Sequence, residues 1–491
     1  MGRLRKVCLD MPHDVYDLLI LGGGPAGVTA ALRARELGAS VALVERGPLG
    51  GTCTNDGCVP TRFLAHTARL IRNAAEYADY GLSGGTPTAD ISKVMTQCRA
   101  MVERIHVKKR IREHLLEAGV DVHDHAGTAS FTGPHTIVSE SGPALRGRKI
   151  LLCIGGHARR LGIPGGELAL THSDVWTMTR LPGRLLVVGG AATGCQLASV
   201  FAAFGSRVTI MDTAPRLVPG EDPDVSLVLT RSFLDRGIDL ILNATMQEIQ
   251  NAQAGALSVT FASSGSNVTR DFDTVIAAVG WPGNVDEVKL AAAGIQTERG
   301  YIAVNENLQT TAAHIFAAGD ITGRMMLVQS AAEEGLAAVE NALIDEPREH
   351  RHQVVPHGGF TDPEYGSVGL TEPQAAGASD VVCASIPYSH LDRAVIDGRS
   401  DGFCKLIVDR ANRRIVGAHV VGQQAVEIVQ VAATAMQANV AIDELARLEY
   451  AYPTFTSAIG LAARLAKRKL DDAVNTADGN AQAPEWESAG L

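Results

Sequence analysis

The feature that most limits how this chain can fold is a pattern that occurs twice. At 17–21 an apolar run leads directly into Gly22-Gly23-Gly24-Pro25-Ala26-Gly27; a helical pattern follows through Leu37, and Val41-Ala42-Leu43-Val44 ends at Glu45. From Leu185 the same order returns: Leu-Leu-Val-Val, then Gly189-Gly190-Ala191-Ala192-Thr193-Gly194, a helix to Phe204, and a strand from Arg207 that ends at Asp212. In a strand-turn-helix unit of this kind the first glycine makes the tight turn, the second lets a pyrophosphate approach, and the third lets helix pack on strand. The acid after the second strand accepts from ribose hydroxyls. Two such units predict an α/β fold with two Rossmann-like dinucleotide-binding domains, and hence two bound nucleotides. Ala191 takes the middle glycine position of the second unit. Asp212 would accept from a free 2′-hydroxyl and repel a 2′-phosphate, so NAD(H) is expected over NADP(H).

Residues 50–62 read Gly-Gly-Thr-Cys-Thr-Asn-Asp-Gly-Cys-Val-Pro-Thr-Arg, which sets Cys53 and Cys58 close together behind a glycine pair. A disulfide closing so small a loop removes little entropy from the unfolded chain, so the spacing suits a redox pair better than a structural crosslink. The helical run after Val59 predicts both cysteines in the first turn of one helix, where free N–H groups and the dipole favour a thiolate.

The 491 residues allow roughly three or four domains. Charged residues at 20% and hydrophobic ones at 46% fit a globular enzyme, and a formal net charge of −10 argues against nucleic-acid or anionic-membrane partners. Eight cysteines without a regular framework point to a reducing compartment, the cytoplasm. Residues 1–13 read as a loose leader without a signal-peptide core, and 471–491 as a disordered tail. No segment reads as membrane-spanning.

Further along, residues 91–117 carry the apolar spacing of one long amphipathic helix. Strands are expected up to Gly155-Gly156, at 273–280, and at 310–320, the last ending in Gly319-Asp320. From Val354 the pattern changes to alternating strands at 357–361, 365–370, 402–409 and 415–421, with helices from Gln424 and Phe455, which defines a separate α+β domain. His123 with His125, and His350 with His352, form HxH pairs lacking ligand partners; they read as surface residues, with no metal site. Cys98, Cys153 and Cys195 read as packing residues.

Taken together, Gly22-x-Gly24-x-x-Gly27, Gly50-Gly-Thr-Cys-x4-Cys-Val-Pro, the second glycine turn, Ala318-Gly319-Asp320 and residues 360–372 give the chain a clear likeness. It resembles the class I flavoprotein disulfide oxidoreductases, the group holding dihydrolipoamide dehydrogenase, glutathione reductase and mercuric reductase, over about residues 15–468. The resemblance implies an FAD-binding domain at 14–152 and 285–350, an NAD(P)-binding domain at 153–284, and a dimerisation domain at 353–470 that makes a homodimer. FAD would lie on Gly22, Gly24, Pro25, Ala26, Gly27 and Glu45, with Arg46, Gly51, Thr52, Arg62, Ala126, Gly127, Gly319 and Asp320 around it. The nicotinamide nucleotide would take Gly189, Gly190, Ala191, Gly194, Gln196, Asp212 and Gly280. Electrons would pass from nicotinamide to flavin to the disulfide, with Cys58 facing the flavin and Cys53 the substrate.

The departures from the family bear on function. Dithiol-handling members carry His-Pro-Thr-x-x-Glu near the C-terminus; here Tyr452 stands at the His position and Ser457 at the Glu position. A tyrosine, with an ordinary pKa of about 10, is a poor proton shuttle at neutral pH. Mercuric reductases are similar in having a Tyr there, but they deliver the metal through a C-terminal cysteine pair, and the last cysteine here is Cys404. Arg62 and Gln196 replace a Lys and a Glu that pair beside the flavin in the family, so a less neutralised cation and a raised flavin potential are expected. Trp281 replaces an Arg and would either stack near the nucleotide or cover a loop. The expectation is therefore an FAD enzyme passing electrons from NAD(P)H through Cys53 and Cys58 to a disulfide, a metal ion or a quinone-like small molecule. A dihydrolipoamide dehydrogenase with a substituted acid-base residue, with Tyr452 in the catalytic role, is the first alternative; a non-catalytic redox-sensing flavoprotein is the second.

Overall fold

The computed structural model describes residues 15–344 and 346–475, and these form two compact units. The first is assembled from three separate stretches, Met1–Pro60, Met95–Arg159 and Gly280–His352; the second holds Thr61–Val94, Arg160–Val279 and Gln353–Leu491.

In the first unit β1 (Tyr16–Leu21), α1 (Pro25–Glu36) and β2 (Val41–Val44) are followed by α2 (Gly51–Asn55), α3 (Cys58–Ala75), α4 (Ile91–Lys109) and α5 (Ile111–Glu117). The division between the units falls within α3 and α4. Next come β3 (Asp121–His123), β4 (Ala129–Gly133), β5 (Thr136–Ser139) and β6 (Leu145–Leu152). The parallel sheet runs β3-β2-β1-β6, with the strand Ile315–Ala317 also pairing parallel to β6 and an antiparallel β5-β4 extension. In register, Leu18 faces Val41 on one side and Lys149 on the other. Both faces of the sheet are covered, as a parallel sheet requires. Leu18, Ile20, Leu43 and Leu151 meet α1 and the helix Val328–Leu343, while Leu19, Leu21, Ile150 and Leu152 pack with Phe131 and Ile137 on the other side. The two helices approach closely because their contact is made of small residues: a side chain at Gly335 would meet the carbonyl of Ala26 at 2.4 Å.

The periodicity at 91–117 predicted one helix; the structure has two, broken where Arg110 adopts φ 45°, so α4 ends at Lys109. Both cysteines were expected in one helix; they occupy two, Cys53 in the short α2 and Cys58 at the first residue of α3. The short loop of Asp56 and Gly57 turns the chain between them.

In the second unit a five-stranded parallel sheet has the order Asp239–Ile241, Arg207–Met211, Arg184–Val188, Thr274–Ala277, Leu170–Thr171. A three-stranded antiparallel ribbon spans Ala244–Asn251, Leu257–Ser263 and Ser266–Phe272. The C-terminal part is a five-stranded antiparallel sheet in which His357–Gly359, Tyr365–Gly369, Ile415–Val421, Phe403–Asp409 and Val381–Pro387 follow one another. Helices Ala425–Gln437 and Ser457–Asn475 bury Ile428, Val429, Ile459 and Ala462 against it. The final helix reaches Asn475, so the stretch from Asp471 begins as helix, not as a disordered tail. Residues 1–13 and 476–491, read as leader and tail, lie outside the described residues. Among the described residues no helix is long and apolar enough to cross a membrane.

Candidate active site

The first glycine turn is fixed by its backbone. Gly22 has φ +100°, and a Cβ there would strike the Cys153 carbonyl at 2.1 Å; one on Gly27 would strike the Gly22 carbonyl at 1.9 Å. The Glu45 carboxylate clamps the turn, accepting from the Gly23 amide at 2.6 Å and the Gly47 amide at 2.9 Å. Ala126 and Gly127 join the same loop through amides donating to the carbonyls of Glu45 and Arg46. The side chain of Arg46 turns away to Glu287. Helix α1 begins at Gly24 and Pro25 without a side-chain cap and without an acid in its first turn. Its positive end is left for an anion such as a pyrophosphate, so the turn fits a dinucleotide.

The redox segment lies on this turn. Gly51 (φ +62°) brings its backbone so close that a Cβ there would come within 2.8 Å of the Gly24 Cα. Gly51 and Thr52 thus start α2 directly beside the first glycine turn, and Cys53 follows. The two sulfurs are unbonded and share a hydrogen bond in which Cys58 donates to Cys53. That bond holds the Cys53 thiol down at about 7 against the opposing effect of burial, with help from Lys109, while Cys58, which keeps the proton, is raised. One negative charge is shared by the pair, on the sulfur suited to nucleophilic attack at neutral pH.

The third stretch of the unit supplies Gly319 and Asp320. Burial pushes the Asp320 carboxyl up, and a hydrogen bond from the Trp281 indole N–H at 2.9 Å opposes the shift. Through that bond Trp281 orients Asp320, and its ring lies beside Gly156. Gly280 (φ +132°) turns the chain into it. Behind Asp320, the fully buried Glu334 accepts from the Gly319 amide at 2.7 Å and from the Thr322 hydroxyl, and pairs with His352 at 2.9 Å. His350 packs edge-on to His352, 4.7 Å between centroids, and burial lowers its pKa. These two histidines are therefore not surface residues as expected, but part of the support under the Gly319-Asp320 turn. His123 lies 3.1 Å from Asp121. Cys98, Cys153 and Cys195 are buried.

In the second unit the other glycine turn repeats the geometry. Gly189 has φ +107°, a Cβ on Gly194 would strike the Gly189 carbonyl at 1.8 Å, and Asp212 accepts from the Gly190 amide at 2.5 Å and the Ala214 amide at 2.8 Å. The helix Ala192–Phe204 again starts without a side-chain cap, at Ala191, and without a first-turn acid. Gln196 and Arg62 do not pair with each other. Gln196 bridges the Ala192 carbonyl and the Phe360 amide, while the Arg62 guanidinium lies 4.6 Å over the Phe360 ring. Arg62 and Arg69 instead share the buried Glu364 carboxylate at 2.5 and 2.6 Å. The expected contact between Arg62 and Gln196 is corrected: Arg62 turns to Glu364, a carboxylate distant in sequence whose single charge it shares with Arg69. Tyr452 is three-quarters exposed, and its hydroxyl donates to Asp392. Ser457, the first residue of the last helix, donates to the Thr454 carbonyl at 2.6 Å, and its hydroxyl makes no bond to Tyr452.

Sequence reading missed Lys109, Glu334, Glu364 and Asp392. Only Glu334 had a local signal, an acid on the apolar stripe of Ser330, Ala331, Gly335 and Ala338.

Two dinucleotide folds, with a dithiol packed on the turn of the first, define a class of two-nucleotide oxidoreductases that work through a cysteine pair. The family model described as pyridine nucleotide-disulphide oxidoreductase matches residues 16–335, and that of its dimerisation domain matches 355–463. The chain is 32% identical to the dihydrolipoyl dehydrogenase of Bacillus subtilis over 92% of its length and 98% of that protein. It is likewise 32% identical to the mercuric reductase of Staphylococcus aureus, over 91% of this chain and 82% of that one. An HOCl-induced flavoprotein disulfide reductase from Escherichia coli superposes with a TM-score of 0.81 at 27% identity, covering 92% of this chain and all of the other. The chain belongs to the pyridine nucleotide-disulphide oxidoreductases and is an FAD-dependent enzyme of that family.

Proposed function

We propose that this enzyme takes hydride equivalents from NADH and delivers the electrons through Cys53 and Cys58 to an acceptor whose reduction needs no histidine base: a disulfide, a metal ion or a quinone-like compound. The observation that carries this reading is Tyr452. It holds the place of the family's histidine, its hydroxyl is committed to Asp392, and that bond raises its pKa further from neutrality. A tyrosine so held neither takes nor gives a proton readily at pH 7, which removes a contribution of about 10² to 10⁴ in rate to thiol exchange. Efficient dihydrolipoamide turnover is disfavoured on the same ground, while Tyr452 remains a residue that an acceptor would meet.

FAD would be held by the first glycine turn, with Glu45 and Asp320 on its sugar and ribityl hydroxyls; when bound it supplies the exchange between a hydride donor and a thiol pair. The second turn would hold NAD(H), and Asp212 supports the preference over NADP(H) because a carboxylate repels a 2′-phosphate. Closing the Cys53–Cys58 disulfide from the thiolate–thiol pair releases two electrons and one proton; opening it takes them back. The dimerisation domain supports a homodimer, and the net charge and the absence of an apolar spanning helix among the described residues support neither a nucleic acid nor a membrane as partner.

The test is an anaerobic titration of the yellow protein with NADH. Uptake of one electron pair by flavin and a second by the cysteines, with a long-wavelength charge-transfer band between them, supports the reading. A single pair with simple bleaching defeats it in favour of a flavin reductase or sensor. Turnover with dihydrolipoamide comparable to that with metal ions, quinones and small disulfides would restore the dihydrolipoamide dehydrogenase reading.

A further inference from the structure

Helix α4 presses two basic side chains onto the residues that follow Cys53. His106 Nε2 lies 2.7 Å from Asn55 Oδ1, and Lys109 Nζ donates to Thr54 Oγ1 at 2.9 Å. The two are three positions apart, hence on one face of the helix. Thr54 is fully buried, so the hydroxyl that receives Lys109 is a fixed point, and α2 has no basic residue of its own. Among the described residues Lys109 forms no ion pair; its charge is not neutralised by a carboxylate, and the break at Arg110 places it at the very end of α4.

We infer that Lys109 is a positioning residue for the cysteine pair: held by Thr54, its ammonium stabilises negative charge on the Cys53 sulfur and selects that sulfur as the one that meets the acceptor. The inference rests on the reading of Cys53 and Cys58 as the redox pair. The groups facing Cys53 are few. Cys58 donates to it, Lys109 attracts the thiolate, and Asp320 repels it. With the family's histidine absent, a fixed cation is the means left to this chain for keeping a thiolate without a proton shuttle. A lysine at a helix C-terminus also has a bland role, compensating the dipole, and the experiment must tell the two apart.

The reduced, FAD-loaded enzyme is alkylated with iodoacetamide across pH, and modification of Cys53 is followed by mass spectrometry. Lys109→Met should raise the midpoint of the profile by about half to one pH unit, making Cys53 about two- to fivefold slower at pH 7. Lys109→Arg should restore it, and Lys108→Met, in the same turn, should leave it in place. Thr54→Val, which removes the hydroxyl that holds the ammonium, should shift the midpoint in the same direction by less, and answers the question if Lys109→Met does not fold. An unmoved midpoint in a folded Lys109→Met or Thr54→Val protein overturns the inference, as does an equal shift in Lys108→Met. If the unaltered enzyme titrates Cys53 in the ordinary thiol range and takes up no second electron pair from NADH, the redox-pair reading itself has failed.

Discussion

The two glycine turns differ in what leans on them. Both open with a glycine at strongly positive φ, both tuck their third glycine under the first carbonyl at less than 2 Å from where a Cβ would be, and both are clamped by an acid on the second amide. At the middle position they part. Gly24 faces the backbone of Gly51, where the segment with the cysteines begins, whereas the equivalent Ala191 is exposed. The backbone rules of a dinucleotide turn are thus fixed by sterics and indifferent to use. What differs between the two turns is the chain laid against the middle residue.

That comparison can be broken most severely at the third glycines. Gly27→Ala should cost about 3 kcal/mol or more through the clash with Gly22 and yield protein without yellow colour, while Gly194→Ala should keep its flavin but lose reduction by NADH; absorbance and a melting curve decide. If both lose FAD alike, the two turns are not independent.

Next in size, Cys58→Ser should retain FAD and lose acceptor turnover, because no Cys53–Cys58 disulfide can close; turnover that survives would take the pair out of the electron path. Asp212→Ala should reduce the preference for NADH over NADPH by about tenfold, since a repelling charge of about 1.4 kcal/mol is removed, and the ratio of kcat/KM for the two nucleotides reads it directly. Gly24→Ala has only the Gly51 Cα at 3.7 Å to meet. It should fold normally and bind FAD severalfold more weakly, sharpening the difference between a steric glycine and a ligand-facing one.

The smallest effect is expected at Trp281→Phe. The indole bond opposes the upward shift that burial imposes on Asp320, so its loss moves that carboxyl further up. On acidification Asp320 then takes its proton at a higher pH, and release of FAD, followed by flavin fluorescence, should begin earlier than in the unaltered enzyme.

Much of this was legible from residues 17–62 and 185–212 because backbone sterics leave those positions little choice: Gly22 and Gly27 are forced by contacts within a few residues of sequence or one strand away. The partners of Arg62 were not legible. Glu364, which Arg62 shares with Arg69, lies some three hundred residues on, and nothing local to either residue announces the pairing. The helix break at Arg110 carries neither glycine nor proline to mark it, so periodicity alone ran two helices together. His350 and His352 look like surface residues by composition; only Glu334 coming from another helix draws them inside. The ribbon from Ala244 to Phe272 and the strand Val381–Pro387 escaped notice because their alternation is interrupted by polar and small residues that a neighbouring strand makes acceptable.

The first unit draws on three distant stretches of chain, and this has a consequence for biosynthesis. Cys53 and Cys58 leave the ribosome early; Lys109 follows, Trp281 comes much later, and Asp320 arrives more than half the chain's length after Cys58. At about 5 to 20 residues per second the delay is on the order of tens of seconds. During that interval the nascent protein displays a vicinal thiol pair with neither its cofactor site nor its third stretch in place, so the enzyme's most reactive groups depend on the reducing power of their surroundings until the unit closes.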